Sequence, residues 1–232
     1  MTQAPRILAF DVFGTVVDWC GSVAREVERV LPDVDGGDFA RAWRSAYAPS
    51  MARVRSGERG WVVLDELHRE NLLQVLDEFN IDGLSDEQID ELNHVWHRLD
   101  AWPDSVEGLR RLKSKFTICT LSNGNLGLLT DMAKRAHLPW DCILCAEVFR
   151  AYKPDPATYR GVANVFDAAP ADVMMVAAHQ DDLEAARECG LQTAYIERPA
   201  EFGESHIKDV SKNDANTYHA TDFIELADLL AC

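Results

Sequence analysis

Several features that would assign a chain to a broad class of protein are missing from this sequence. No apolar run approaches the roughly 20 residues that a membrane-spanning helix requires. Residues 1–6 lack the basic and apolar leader of a secretory signal peptide, so we expect a cytoplasmic protein. Basic residues are few, and 23 of them against 39 acidic residues give a net charge of −16. Because nucleic-acid binding needs clustered cations, we expect neither nucleic acid nor a membrane as partner, and a small anionic substrate would need local cations in its pocket.

The cysteines and histidines also lack the spacing of a complete metal motif. Cys142 and Cys145 have zinc-like spacing, but no second Cys or His pair accompanies them. Both belong to an apolar segment typical of a core strand, so we interpret the six cysteines as buried free thiols of a reducing compartment. His94 and His97 lie close together without a third ligand. We therefore predict no metal site.

The pattern that is present indicates an α/β fold. A composition of 47% hydrophobic and 27% charged residues is ordinary for a globular protein of one or two domains. Segments typical of buried strands lie at residues 7–10, 116–121, 142–146, 173–178 and 193–196. Helical segments alternate with them at residues 126–136, 156–166, 183–189 and 223–230. This alternation predicts a doubly wound, mostly parallel sheet.

Between the first two strands the periodicity is helical up to about residue 100. We predict four amphipathic helices: one ending before Pro32, one starting at an Asp38 N-cap, one across 62–76, and one across 89–99 with a capping signature at 85–88. The predicted architecture is an α/β core of residues 1–16 and 101–232 interrupted by a helical cap of residues 17–100. Four tryptophans are interpreted either as cap packing or as the rim of a substrate tunnel: Trp43, Trp61, Trp96 and Trp102.

Polar side chains follow four of the predicted core strands at the point where each strand ends. They are Asp11 and Thr15, Ser122 and Asn123, Lys153, and His179 with Asp182. Singly, each group has an ordinary interpretation as a helix cap, a turn or the start of a surface helix. Because ligands of open α/β sheets bind at the carboxyl ends of the strands, the whole set predicts one site.

These four groups resemble the motifs of the haloacid dehalogenase-like superfamily. The matching segments are 11–15, 121–124, 152–155 and 176–182, and the resemblance includes the position of the cap insertion. Within the superfamily the chain is similar to the type II L-2-haloacid dehalogenases, which also have counterparts of Trp43-Arg44 and Tyr159.

Two positions depart from the phosphatases of this superfamily. A phosphatase typically has an aspartate two residues after the nucleophile, which protonates the leaving alkoxide, but this chain has Phe13. Phenylalanine donates no proton, and a departing halide needs none. The phosphatases also place a magnesium-binding aspartate where this chain has His179, and hard Mg²⁺ prefers oxygen ligands. Together the two changes favour attack on carbon without a metal or an organic cofactor.

The resemblance implies a role for each polar residue at the predicted site. Asp11 attacks the α-carbon of a 2-haloacid, expels halide with inversion and forms an aspartyl ester. Lys153 holds Asp11 and the substrate carboxylate, and Thr15 hydrogen-bonds the nucleophile. Asp182 orients or deprotonates the water that hydrolyses the ester, and Tyr159 helps to order the site.

Further residues are expected to bind the two charged parts of the substrate. Ser122 and the backbone N–H groups near Val12 and Phe13 would bind the carboxylate. Arg44 from the cap, together with Asn123, would hold the leaving halide.

His179 replaces an asparagine of the better-known dehalogenases, and its role stays open at this point. It is either a general base or neighbouring group near the ester, or a structural donor. An imidazole donor would also suit fluoride, which extends the prediction to fluoroacetate. A small-molecule phosphatase of the same fold and a non-catalytic binding protein are the alternative functions. Because similar enzymes are commonly homodimers, the resemblance also predicts a homodimer.

Overall fold

The computed structural model describes residues 4–232, and its centre is a six-stranded parallel sheet. The strands of the chain are β1 (Ile7–Phe10), β2 (Val17–Asp18), β3 (Asp100–Ala101), β4 (Thr117–Ser122), β5 (Cys142–Cys145), β6 (Val173–Ala177), β7 (Gln192–Ile196) and β8 (Tyr218–Ala220). The sheet has the order β5-β4-β1-β6-β7-β8, and every pairing in it is parallel. The predicted α/β class is confirmed.

Eleven α-helices are present among residues 4–232. They are α1 (Trp19–Val30), α2 (Gly36–Ser45), α3 (Tyr47–Arg55), α4 (Leu64–Glu78), α5 (Asp86–Asn93), α6 (Ser105–Lys113), α7 (Leu126–Arg135), α8 (Ala146–Phe149), α9 (Pro156–Val165), α10 (Gln180–Glu188) and α11 (Phe223–Leu229). We call α1–α5, with the 3₁₀ turn His94–His97 that follows them, the cap. No helix in residues 4–232 combines the length and the apolar character needed to cross a membrane.

Both faces of the sheet are buried, and β1 shows how its sequence achieves this. Successive side chains of a strand point to opposite faces. Leu8 and Phe10 belong to an apolar cluster that continues into the cap, whereas Ile7 and Ala9 belong to a second cluster on the other face. Because helices cover both sides, the strand is a continuous apolar run rather than an alternating one. This is why the core strands were readable from sequence.

The prediction of four cap helices is wrong, because the second predicted helix is two. The carboxylate of Asp35, not Asp38, caps α2, since it accepts the N–H of Asp38 at 2.8 Å. The chain then starts a new helix, α3, at Tyr47. Pro49 lies in the first turn of α3, where proline is tolerated, and in the interior of one long helix it would remove a hydrogen bond and clash.

Smaller corrections concern the helix ends and five elements that the pattern did not predict. The helix opened by the Ser85–Gln88 capping box ends at Asn93, and its predicted continuation to residue 99 is a 3₁₀ turn instead. Helix α10 begins at Gln180, three residues before the predicted start. Elements α6, α8, β2, β3 and β8 were not predicted.

The two segments that connect the cap with the core are adjacent and pair with each other. Val17 pairs with Ala101, and Asp18 pairs with Asp100, in the antiparallel pair β2–β3. The backbone N–H of Trp102 also donates to the carbonyl of Val16 at 3.0 Å. We propose that this pair marks the division into a core of residues 1–16 and 101–232 and a cap of residues 17–100.

Candidate active site

Asp11 lies at the carboxyl end of β1, which is one of the two central strands of the sheet. Its backbone N–H donates to the carbonyl of Val176 in the neighbouring strand at 3.0 Å, which extends the ladder by one residue. The residue is only 7% exposed. A carboxylate is therefore held in the interior at the edge where an open α/β sheet binds its ligands.

One side of Asp11 faces a chain of three further buried groups. Lys153 Nζ donates to Asp11 Oδ1 at 2.9 Å and to Asp182 Oδ2 at 2.5 Å. The hydroxyl of Tyr159 donates to the other oxygen of Asp182 at 2.6 Å. Residues far apart in sequence thus meet because parallel strands bring their carboxyl ends to one edge.

Burial and neighbouring charges act in opposite directions on the pKa values of Asp11, Lys153 and Asp182. Burial alone would raise the pKa of Asp11, but Lys153 and His179 lower it well below the ordinary value, so this carboxylate stays ionised. Burial alone would lower the pKa of Lys153, but the two aspartates raise it well above the ordinary value. Burial raises the pKa of Asp182, and Lys153 only partly opposes that rise. A carboxylate with a raised pKa suits a group that accepts and returns a proton.

The other side of Asp11 is held by a hydroxyl and an imidazole. Thr15 Oγ1 donates to Asp11 Oδ2 at 2.7 Å and is itself oriented by the N–H of Ala178 at 2.9 Å. His179 Nδ1 lies 3.1 Å from Asp11 Oδ2, and its Nε2 lies 2.8 Å from Oε1 of Glu201. Because both ring nitrogens face carboxylates, both carry hydrogen.

Glu201 is the functional candidate that the sequence reasoning missed. Its carboxylate is 1% exposed and also contacts Lys208 Nζ at 2.5 Å and the indole N–H of Trp19 at 3.3 Å. It lies in the loop after β7, whose last residue is Ile196. Applied to this strand, the rule about carboxyl ends of strands indicates the loop, but the sequence does not distinguish Glu201 from Glu197, which directly follows the strand.

The carboxyl edge of the sheet, where Asp11 lies, borders a cavity of about 440 Å³ between core and cap. Three cap arginines line it: Arg41, Arg44 and Arg55. Arg44 makes no ion pair within residues 4–232, and its guanidinium stacks 3.9 Å from the ring centroid of Tyr47. The cavity therefore has the local cations that an anionic substrate needs in a protein of net charge −16.

Phe13 and Asn123 line the same cavity, whereas the side chains of Val12 and Ser122 do not. Asn123 Oδ1 accepts the backbone N–H of Lys153 at 2.7 Å, which leaves its NH₂ group to donate to a ligand. Ser122 Oγ accepts the N–H of Gly124 at 3.1 Å. The N–H groups of Val12 and Phe13 have no acceptor in the described part of the chain, so both are free for a ligand carboxylate.

The tryptophans pack inside the protein rather than line the cavity. The indole N–H of Trp43 donates to the carbonyl of His68, and that of Trp102 donates to the carbonyl of Gly14. Trp96 is buried, and Trp61 stacks on Tyr152 at 4.9 Å. The larger apolar side chains of the cavity wall are instead Phe13, Tyr47, Met51 and Phe202.

The groups around Asp11 do not fit a magnesium ion. Lys153 Nζ already bridges Asp11 and Asp182, and the protonated ring of His179 covers Asp11 Oδ2. Mg²⁺ requires oxygen ligands in octahedral geometry, and here two cationic donors already bind the Asp11 carboxylate. We therefore derive no catalytic step through a metal.

The expectation that His94 and His97 have no third partner is wrong. Asp131, on core helix α7, brings a carboxylate oxygen within 4.8 Å of ligand atoms of both histidines. The two imidazoles are stacked at 4.1 Å and 15°, so their in-plane lone pairs do not converge on one point. His97 instead links the cap to the core, with Nδ1 at 2.9 Å from Asp131 and Nε2 at 3.1 Å from Asp65.

A parallel sheet that carries a buried Asp–Lys–Asp set at its carboxyl edge, beneath a helical cap, is an α/β enzyme fold with a carboxylate as the candidate nucleophile. The model of the haloacid dehalogenase-like hydrolase family matches residues 5–190. The chain therefore belongs to the haloacid dehalogenase-like hydrolases.

Within that family the chain is similar to L-2-haloacid dehalogenases. The defluorinating L-2-haloacid dehalogenase Rha0230 is 45% identical with a TM-score of 0.95, over 98% of this chain and 96% of that one. The L-2-haloacid dehalogenase PA0810 is 40% identical with a TM-score of 0.93, over 98% of this chain and 100% of that one. The (S)-2-haloacid dehalogenase 4A of Burkholderia cepacia is 28% identical over 220 residues, which cover 90% of this chain and 91% of that one.

Proposed function

We propose that the protein hydrolyses short L-2-haloacids to 2-hydroxy acids through an ester of Asp11. The observation that carries the proposal is the pair formed by buried Asp11 and Phe13 in one cavity. The nucleophile is held ionised, and the neighbouring position has no proton to give to an alkoxide or phosphate oxygen. Halide leaves as a stable anion, so carbon–halogen cleavage needs no acid at Phe13. The similarity to L-2-haloacid dehalogenases supports the same reaction.

In the first half-reaction a carboxylate oxygen of Asp11 attacks the α-carbon, and the carbon–halogen bond breaks with its electron pair on the halide. The N–H groups of Val12 and Phe13 hold the substrate carboxylate, whereas Ser122, expected to bind it as well, supports the adjoining turn by accepting the N–H of Gly124. Arg44 and the amide N–H of Asn123 meet the departing halide. Lys153 fixes the direction of attack because it binds Asp11 at 2.9 Å.

In the second half-reaction water attacks the ester carbonyl carbon of Asp11. Asp182 takes a proton from that water, and its raised pKa lets it return the proton to the departing hydroxyl oxygen. Tyr159 donates to Asp182 at 2.6 Å and fixes its orientation. The single bond between the Asp11 carbonyl carbon and the alkoxy oxygen breaks as the C=O bond re-forms, so the product hydroxyl carries an oxygen that came from Asp11.

One experiment with the purified protein tests this function against the phosphatase alternative. EDTA-treated protein is given L-2-chloropropionate, chloroacetate and p-nitrophenyl phosphate, with and without added Mg²⁺. We expect halide release that EDTA does not change, and D-lactate from L-2-chloropropionate. Phosphate release that depends on Mg²⁺ would replace this proposal with a phosphatase. Absence of turnover on all three substrates would favour a binding protein.

Fluoroacetate is a finer part of the same proposal. The similarity to a defluorinating enzyme supports it, and the N–H donors of the cavity suit a compact and strong acceptor. We expect fluoride release from fluoroacetate under the conditions that release chloride from chloroacetate. Chloroacetate consumption without fluoride release would restrict the substrates to heavier halogens.

Replacing Arg44 by Gln is expected to lower kcat/KM for chloroacetate by about 10²-fold, because a preorganised cationic donor to the leaving anion is lost. Chloride release under initial-rate conditions measures this. Arg53→Gln is the matched control: Arg53 lies on the neighbouring cap helix, pairs with Glu58 at 2.8 Å and does not line the cavity. Equal losses in both variants would mean that Arg44 serves only the cap.

The homodimer and the cytoplasmic location stay predictions. Light scattering coupled to size-exclusion chromatography checks the first, and fractionation of producing cells checks the second. A monomer at working concentration would contradict the predicted homodimer without affecting the chemistry.

A further inference from the structure

The two oxygens of Asp11 have different surroundings. Oδ1 accepts one hydrogen bond within residues 4–232, from Lys153 at 2.9 Å. Oδ2 accepts two, from Thr15 at 2.7 Å and from His179 at 3.1 Å. A carboxylate oxygen has two lone-pair directions, so Oδ2 is saturated while Oδ1 keeps one for attack. Oδ1 is therefore the oxygen that becomes alkylated, and Oδ2 becomes the carbonyl oxygen of the ester.

This assignment decides where charge develops in the second half-reaction. When water adds to the ester carbon, the electron pair of the carbonyl bond moves onto Oδ2. That oxygen already faces the hydroxyl of Thr15 and the ring N–H of His179. The N–H of Ala178 fixes the Thr15 hydroxyl in the donating orientation at 2.9 Å. Donors aimed at developing negative charge before it appears are what an oxyanion hole consists of.

The donor capacity of His179 depends on a charge that survives ester formation. In the free protein both Asp11 and Glu201 hold the imidazole protonated. Burial alone would lower the pKa of His179, but these two carboxylates raise it to about 9. Alkylation turns Asp11 into a neutral ester, so Glu201, at 2.8 Å from Nε2, is then the remaining carboxylate in contact with the ring within residues 4–232.

Glu201 is itself built into the site. Its pKa is lowered to about 2 against the effect of burial, by His179 and by Lys208. Lys208 also donates to the carbonyl of Ala178 at 2.6 Å, which ties the loop to the residue before the histidine. Gly14 adopts φ +82°, and a Cβ there would lie 2.2 Å from Glu201 Oε1. A glycine three residues after the nucleophile therefore makes room for this carboxylate.

We propose that Thr15 and His179 form the oxyanion hole for hydrolysis of the Asp11 ester, and that Glu201 is the positioning residue that keeps His179 donating through that step. The inference rests on the proposed function and assigns separate residues to its second half. Glu201 acts through His179 and touches no reacting atom.

Glu201→Gln separates the two half-reactions. With chloroacetate we expect kcat to fall by about 10-fold to 100-fold, because the oxyanion is less well stabilised. The value of kcat/KM, which is set by alkylation, stays unchanged or rises, and intact-mass analysis after rapid quenching shows the carboxymethyl ester accumulating. His179→Gln, which keeps a neutral donor, is expected to act in the same direction. Glu197→Gln is the matched control, since Glu197 binds His219 Nε2 at 2.7 Å away from the cavity.

The pH profile gives a second readout that a purely structural role would not move. Asp11 and Glu201 contact His179 directly, and Lys208 contacts Glu201. Lys153 and Asp182 lie across Asp11, and Arg41, Arg44 and Asp181 line the same cavity. Loss of the Asp11 charge lowers the pKa of His179 in the ester below the value of about 9 in the free protein. We expect kcat to decline as pH rises through that lower value, and Glu201→Gln to move the decline to still lower pH.

Two results would overturn the inference. One is a parallel fall of kcat and kcat/KM in Glu201→Gln without ester accumulation, and the other is wild-type behaviour of both Glu201→Gln and His179→Gln. A single turnover of the wild type in H₂¹⁸O tests the proposed function separately. Label in Asp11 rather than in the product supports the ester, whereas label in the product of the first turnover would reject the ester itself.

Discussion

Replacing Asp11 by Asn is expected to reduce halide release from 2-haloacids by more than about 10⁴-fold, which is the scale of loss when a nucleophile is removed. Asparagine keeps the size of the side chain and still accepts from Thr15, so the variant should fold. It lacks the negative charge that makes Oδ1 a nucleophile. It also removes the charge that raises the pKa of Lys153. Chloride release from chloroacetate, followed to long times, measures the effect.

Slow deamidation of the introduced asparagine back to aspartate would restore activity, so intact mass must be followed together with turnover. Asp11→Ala cannot revert and serves as the second variant. Asp90→Asn is the control, because Asp90 pairs with Arg69 on the exposed face of cap helix α5. Full activity of Asp11→Ala would show that the nucleophile lies elsewhere.

The position of Asp11 could be predicted because the apolar residues of β1 indicate a buried strand that ends directly before it. Ile7–Phe10 is apolar throughout, and a run of this kind followed by a carboxylate and a glycine fixes both the strand and its end. The same rule placed Lys153 and Asp182 at the common edge. Their contacts at 2.9 and 2.5 Å depend on packing that no spacing in the sequence expresses.

The chain region that sequence reasoning handled least well is the loop after β7. Glu201 stands in a stretch of no clear periodicity, and its partner His179 is 22 residues earlier. The sequence does not distinguish a buried glutamate from one on the solvated surface, and only tertiary packing makes this residue 1% exposed. Gly14, where a Cβ would lie 2.2 Å from Glu201 Oε1, leaves room for this carboxylate. His179 was consequently left with two roles, and its ring contacts favour a protonated donor over a base.

The cap illustrates a different limit. Amphipathic periodicity predicted helices correctly over much of residues 19–93, but it does not report where one helix stops and the next begins. Phe39, Trp43 and Tyr47 form one apolar stripe that continues across the break between α2 and α3. That break places Arg44 in the last turn of α2 and Tyr47 at the start of α3, where the guanidinium stacks on the ring. The error in helix count therefore concerned the segment that carries Arg44, which lines the cavity.

Lys153→Met is expected to lower kcat/KM at neutral pH by about 10³-fold, through a change in protonation as well as in position. Lys153 is 8% exposed and contacts both Asp11 and Asp182. Without the ammonium, two buried carboxylates face each other, and the pKa of the pair rises because both cannot stay ionised. Attack needs Asp11 ionised, so activity should recover partly as pH rises. We therefore expect the acidic limb of the pH profile of kcat/KM to move to higher pH in Lys153→Met, and initial rates measured across the pH range check this.

The same variant also tests how the free energy of unfolding depends on pH. The direction of that dependence follows from the pKa differences between the folded and unfolded states. In the native protein Lys153 and His179 lower the pKa of Asp11, so its contribution to stability is present above the unfolded pKa and is lost as pH falls. In Lys153→Met the pKa of the pair is raised instead, so the variant loses stability as pH rises between about pH 4 and pH 8. An uncompensated buried charge costs about 3–5 kcal/mol, which urea unfolding at several pH values resolves.

Lys113→Met supplies the matched comparison for both measurements. Lys113 pairs with Asp141 at 2.8 Å, but both side chains are more than one-third exposed, so losing that pair costs about 1 kcal/mol or less. If Lys153→Met matched this control in stability and in its kcat/KM profile, Lys153 would not be what keeps Asp11 ionised. Charge on the nucleophile would then depend on His179 and Thr15, and both half-reactions would share one set of donors at Oδ2. A displaced acidic limb in Lys153→Met, beside an unmoved one in Glu201→Gln, would instead assign Lys153 to alkylation and Glu201 to hydrolysis.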